Sequence, residues 1–268
     1  MAITIAGIEV KKNTDKPERL SMLLWGPAGV GKTTLAATAP GRKLLLSFDP
    51  DGATSITNRD DVFVADMTQL PPGKTEQVGD DNPWSLRQAL EGSEQELPFD
   101  TLIVDSLTSF ADKALMHGVA SSKGATVARP SLQGFGYRTA LSFRLVVNLL
   151  RLTGKLNKHV IFIAHEGAPE FSEQGGVIEY PLGLGGQLPS TVPAQLSEVW
   201  YLRDNGAART IMIRPSNLRK VMKTRLFSTS GAIEFPWKYD ADKQQGDGIA
   251  TWFDAWVKGG KQKLPLPK

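Results

Sequence analysis

The segment Gly26-Pro-Ala-Gly-Val-Gly-Lys-Thr33 fits the pattern G-x-x-x-x-G-K-[ST] in full. No other feature constrains the fold as strongly, because such a loop works only between a strand and a helix. The flanks comply. Leu20–Trp25 is an apolar run of strand length, and Lys32–Ala39 opens a helix that Pro40-Gly41 closes. In that setting the glycines let backbone N–H groups converge on phosphate oxygens, and the helix start adds a favourable dipole. Gly26, Pro27, Ala28, Gly29, Val30, Gly31, Lys32, Thr33 and Thr34 are therefore expected to cradle a nucleoside triphosphate, ATP with Mg²⁺. Lys32 should reach the β- and γ-phosphates, and the Thr33 hydroxyl should ligate the metal.

Beyond the loop, the pattern of strand, turn and helix repeats, which predicts a mostly parallel sheet covered by helices. Strands are expected at Lys43–Phe48, Val62–Val64, Thr101–Val104 and Val160–Ala164, with a strand pair Glu198–Leu202 and Arg209–Ile213 around an Asp204-Asn205-Gly206 turn. Helices are expected at Trp84–Glu91, Leu107–His117, Tyr137–Leu152 and Ile249–Trp256. Polar, turn-rich stretches predict a surface loop at 71–82 and a long loop at Gly118–Gly136. A second Gly- and Pro-rich segment, Glu166–Ser190, has room for a hairpin around Gly175-Gly176. The expected organisation is an N-terminal segment (1–18), one ATPase domain (19–257) and a flexible basic tail (258–268).

A P-loop needs a carboxylate at a neighbouring strand end to hold Mg²⁺, and Asp105 ends the apolar strand Leu102-Ile103-Val104. The same Asp would also suit a helix cap. Ser106 follows it where many ATPases carry a water-activating acid, so a base must come from another strand end. Asp51, in Phe48-Asp49-Pro50-Asp51-Gly52, is the candidate, although both aspartates equally suit a turn. With no cysteine in 268 residues, disulfides, thiolate metal sites and a thiol nucleophile are excluded. The three histidines lack zinc-ligand spacing. The N-terminal apolar stretch is too short for a signal peptide and no run is long enough to cross a bilayer, so the expected location is the cytoplasm, with no membrane partner.

Net charge is only +3, but the charges are segregated. Residues 113–165 contain no Asp or Glu and eight Lys or Arg, and 203–225 carry seven basic residues against Asp204 alone. Between them, 159–202 holds five glutamates and no Lys or Arg. Such segregation predicts a surface with signed faces.

The segments GPAGVGKTT, SFDPDG, TLIVDSLTSF, VIFIAHE and LPSTVPAQLSEVWYLRD together resemble the RecA-like ATPases carried by bacteriophages, small recombinase-type proteins reduced to the RecA core. The resemblance spans about residues 20–228 and implies a RecA-like P-loop α/β fold. It implies that Asp51 activates water, that His165 senses the γ-phosphate, and that Lys223 and Arg225 enter the ATP site of a neighbouring subunit. His165 also suits a strand-end cap, and Lys223 and Arg225 suit solvated strand positions. A homo-oligomer, filament or ring, would follow. Single-stranded DNA would be bound by two loops. In the first, Lys123, Arg129 and Arg138 would meet phosphates while Phe135 and Tyr137 stack on bases. The second departs from the family, because 166–190 carries four glutamates and no basic residue and would repel a phosphate backbone.

The expected function is thus a DNA-dependent ATPase of phage recombination or annealing, placed in the host cytoplasm. The alternative is a nucleotide-switched interaction protein that does not bind DNA. A small-molecule kinase would need an arginine-bearing helical lid, which no segment resembles.

Overall fold

The computed structural model describes residues 4–5, 8–9, 18–69, 90, 99–126, 128–206, 208–228 and 231–267. The predicted loop at 71–82, the predicted helix Trp84–Glu91 apart from Leu90, and most of the N-terminal segment lie outside these residues.

Eight strands form the central sheet: β1 (Ser21–Gly26), β2 (Lys43–Ser47), β3 (Val62–Asp66), β4 (Thr101–Asp105), β5 (His159–His165), β6 (Glu198–Asp204), β7 (Arg209–Met212) and β8 (Glu234–Trp237). Their spatial order is β8-β7-β6-β1-β5-β4-β2-β3. From β6 to β3 every pairing is parallel, while β7 is antiparallel to both β6 and β8. This is the RecA-like P-loop α/β arrangement, with the strand that feeds the glycine loop well inside the sheet. Pro236 is tolerated in β8 because that strand lies at the sheet edge and pairs on one side only.

Successive side chains of a strand face opposite ways, so a strand covered on both faces reads as a continuous apolar run. Leu23 and Trp25 pack on one face with Leu102, Val104, Phe110 and Leu145. Their neighbours Met22 and Leu24 pack on the other face with Leu35, Ile103, Trp200 and Trp252. The first face is covered by α2 (Leu107–Ala120), α3 (Leu132–Lys155) and α4 (Leu188–Ala194), and the second by α1 (Lys32–Ala37) and α5 (Ile249–Lys258).

The predicted loop Gly118–Gly136 is shorter than expected, because helix takes both of its ends. α2 runs on to Ala120 and α3 begins at Leu132, which leaves a connector of 121–131. Here glycine is a packing residue rather than a loop signal. A side chain on Gly118 would meet the Cα of Gly134 at 2.8 Å and Tyr137 at 2.8 Å, so two helix backbones touch at this crossing. Ser131 starts α3 by accepting a hydrogen bond from the Gly134 N–H at 3.1 Å. The C-terminal tail also differs from expectation. Leu264 donates to the Leu226 carbonyl and accepts from the Ser228 N–H, each at 2.7 Å, and Leu264 and Leu266 pack against the core. Two further elements were not anticipated, the edge strand β8 and α4, whose Leu-Pro-Ser-Thr-Val-Pro-Ala composition reads as loop. Pro189 sits in its first turn, where a missing N–H costs nothing.

Candidate phosphate-binding site

Parallel strands deliver their last residues to one edge of the sheet, and ligands bind outside that edge. Here the edge gathers the glycine loop after β1, the turn after β2, Asp105 of β4 and His165 of β5. A cavity of about 270 Å³ opens between them, lined by Gly29, Gly31, Lys32, Thr33, Asp49, Asp105, His165 and Arg209 among others.

The Thr33 Oγ1 donates to Asp105 Oδ2 at 2.6 Å, so the hydroxyl and the carboxylate expected at the metal meet directly. Asp105 is 3% exposed, and burial pushes its pKa up to about 6 against the opposing bond from Thr33. A buried carboxylate facing one hydroxyl, with no thiolate or imidazole between them, is a donor set for a hard cation such as Mg²⁺. Lys32 is also buried, and burial lowers its pKa to about 8, against the pull of Asp105, Asp49 and Glu166. Its ammonium donates to the carbonyls of Gly26 at 3.0 Å and Pro27 at 2.6 Å. The cation therefore rests on the loop itself, where an arriving phosphate can take it over.

Of the two aspartates after β2, the structure turns Asp49 into this cavity. Its Oδ2 lies 3.7 Å from His165 Nε2, and its Oδ1 accepts a hydrogen bond from the Ser109 hydroxyl on α2. Burial alone would raise its pKa, but contacts from His165, Ser109 and Ser106 outweigh that and hold it below the usual value. Asp51 is exposed, adopts φ 57°, and lines an adjoining cavity of about 420 Å³ that Asp49 and Gly52 also line. Its carbonyl accepts from the Thr54 N–H at 3.0 Å, so Asp51 builds the turn. Asp51, the residue expected to activate water, is thus not among those that line the phosphate cavity.

His165 does line the cavity, and its backbone N–H is held at 3.0 Å by Thr108 Oγ1. Lys223 and Arg225 are placed differently. They flank Glu198 and Val199 at the start of β6, the sheet edge opposite the glycine loop. Arg225 Nε lies 3.7 Å from the buried Glu198 carboxylate, its guanidinium donates to the Arg19 carbonyl, and it stacks 5.1 Å over Trp256. Lys223 donates to the Ala194 carbonyl at 3.4 Å. Within its own chain the Arg225 charge thus has the Glu198 carboxylate and the Trp256 ring as partners.

The expected DNA-contacting residues split. Lys123 and Arg129 are exposed on the 121–131 connector, and Phe135 is exposed on the first turn of α3. Tyr137 and Arg138 are helical residues turned inward. Tyr137 meets His117 edge to face at 5.5 Å, and Arg138 lies 3.4 Å from Asp112. The acidic segment contains the predicted hairpin, Glu170–Phe171 paired with Val177–Glu179. Two of its glutamates pair within the chain: Glu166 with Arg219 at 2.8 Å, and Glu179 with Lys220. Arg219 is further held between the rings of Tyr180 and Tyr201, at 4.4 and 4.5 Å.

Sequence reasoning missed Asp49, Ser109 and Arg209 as site residues. Asp49 had a signal, since it shares its turn with Asp51. Arg209 had none locally, because only the pairing of β6 with β7 brings it to this edge.

A family profile described as an AAA domain matches residues 18–226. Among solved structures, a KaiC-like protein from the hyperthermophilic archaeon Pyrococcus horikoshii is similar at 14% identity and a TM-score of 0.44, covering 83% of this chain and 87% of that one. A RadB recombinase is similar at 13% identity and a TM-score of 0.43, covering 84% and 89% respectively. No curated protein sequence matches.

Proposed function

The chain belongs to the AAA domain family, and on that basis we propose that it binds and hydrolyses Mg·ATP at the Gly26–Thr33 loop. The observation that carries this reading is the 2.6 Å contact of Thr33 with Asp105 in the same cavity as Lys32. Thr33 and Asp105 would hold Mg²⁺, which supplies charge neutralisation on the phosphate oxygens. Lys32 leaves the loop carbonyls for the β- and γ-phosphates. Asp49, ionised at neutral pH, orients the attacking water through a hydrogen bond, and His165 donates to the γ-phosphoryl group. Attack by the water oxygen breaks the bond to the bridging oxygen and yields ADP and phosphate.

The exposed Lys123, Arg129 and Phe135 give the chain a basic and aromatic end fitted to single-stranded DNA, in keeping with a recombination or annealing role in a phage-infected cell. Assembly into a homo-oligomer belongs to the same reading. A second reading, a nucleotide-switched protein-docking factor, is favoured by the hairpin, where Phe171 (59% exposed) and Ile178 (49%) stand beside Glu170 and Glu173. Phosphate release by purified protein, with and without single-stranded DNA and with Lys32→Ala as the blank, separates the two. DNA stimulation supports the first reading, and hydrolysis indifferent to DNA supports the second. Full activity in Lys32→Ala would remove the ATPase assignment altogether.

A further inference from the structure

The phosphate cavity is walled on one side by groups from β2, β4 and β5, all of them anticipated in kind. On the other side of β1 the sheet continues into β6, β7 and β8, and that half contributes one cation to the cavity lining, Arg209. Arg209 opens β7 directly opposite Asp204, the last residue of β6, so the antiparallel register lifts it to the edge where the glycine loop lies.

Its guanidinium rests against the loop. A side chain placed on Gly31 would meet Arg209 Nη1 at 3.2 Å and the Trp237 ring at 3.2 Å. Gly31 (φ 94°) must be glycine for its backbone conformation, and the bare α-carbon also lets the arginine lie on the loop. Trp237, on β8, lies beneath the guanidinium at 6.0 Å from ring centroid to Cζ. The only anion within ion-pair reach among the described residues is Asp204 at 3.5 Å, and both side chains of that pair are 39% exposed. A half-solvated pair of this kind holds weakly and yields easily to a multiply charged ligand.

We propose that Arg209 is a nucleotide-binding residue supplied by the chain's own β6–β7 hairpin, closing on the polyphosphate from the side opposite Asp49 and His165. The inference rests on the proposed binding of Mg·ATP at the glycine loop. It gives the site a second protein cation beside Lys32.

The test is titration calorimetry of the full chain with Mg·ATP and separately with tripolyphosphate, for wild type, Arg209→Ala and Arg209→Lys. Arg209→Ala should weaken both ligands by about tenfold or more, the scale of a lost charge-assisted bond, and Arg209→Lys should recover part of the loss. A purely structural role would not give rescue by charge. Wild type that binds neither ligand overturns the glycine-loop reading and this inference with it. Wild type that binds both, with Arg209→Ala unchanged, overturns the Arg209 assignment alone. Loss for ATP without loss for tripolyphosphate would move the contact from phosphate to the nucleoside and overturn the polyphosphate role. Should Arg209→Ala fail to fold, Arg209→Gln is measured in its place with the same expectations.

Discussion

Asp49 and Asp51 stand two residues apart on one turn, and their environments divide the work between them. Asp49 is held by Ser109 and His165 inside the phosphate cavity, whereas Asp51 faces solvent with its backbone committed to the turn. Asp49→Asn should therefore cut hydrolysis about 100-fold or more while leaving ATP affinity within a few-fold. Asp51→Asn should change neither greatly; the reverse ranking in a steady-state phosphate assay would restore Asp51 to the mechanism. Lys32 supplies a second residue-level prediction. Burial lowers its folded pKa to about 8, so at pH 9 the free protein carries it mostly neutral. Polyphosphate favours the charged form, so ATP binding at pH 9 should take up protons. Binding heats should then differ between buffers of unequal ionisation enthalpy, and equal heats would mean that Lys32 is already charged.

At the scale of elements, β6 joins two functions at its two ends. Its last residue, Asp204, holds Arg209 at the phosphate edge, and its first, Glu198, organises the opposite edge. The Glu198 carboxylate is fully buried and accepts from Trp200 Nε1 at 2.9 Å, Thr224 Oγ1 at 2.6 Å and the Arg225 N–H at 2.9 Å. Truncation would leave three buried donors unsatisfied beside the Arg225 cation. Glu198→Ala should lower unfolding free energy by about 3–5 kcal/mol, read from urea denaturation, and a loss under about 1 kcal/mol would show that the network is dispensable. The pair α2 and α3 matters in the same way for the connector. A helix of 14 residues rises about 20 Å, so the end of α2 that leads into the connector stands about that far from the end that follows Asp105.

At the scale of the molecule, charge segments separated in the sequence meet in space. Arg219 and Lys220 of the basic 203–225 stretch neutralise Glu166 and Glu179 of the acidic one, so the opposed runs are partly each other's partners. The C-terminus is tied in as well. Leu264 is bonded on both sides to the segment around Phe227, and Lys261 lies 2.9 Å from Glu18. Deleting residues 262–268 should lower stability by about 1–3 kcal/mol, from the apolar area of Leu264 and Leu266 returned to water. An unchanged melting temperature would mean that the tail only rests on the surface.

The sequence by itself determined the parallel sheet, the glycine loop and the place of Asp105 at a strand end, because each rests on local information. Buried strands read as apolar runs, and the loop motif binds phosphate with its own backbone. Thr33 and Asp105 could be paired in advance because a strand-end acid always lies beside the loop in such a sheet. Three things were decided only by tertiary structure. Which aspartate faces the cavity depends on one left-handed residue, Asp51, and on Ser109 arriving from α2. Whether glycine marks a loop or a helix crossing depends on what lies across from it, as Gly118 and Gly134 show. Where a charge is used depends on strand register, which sends Arg209 to the phosphate edge and Arg225 to Glu198 at the other. Pairing across a sheet joins residues far apart in the chain, and no local pattern encodes which of them will meet.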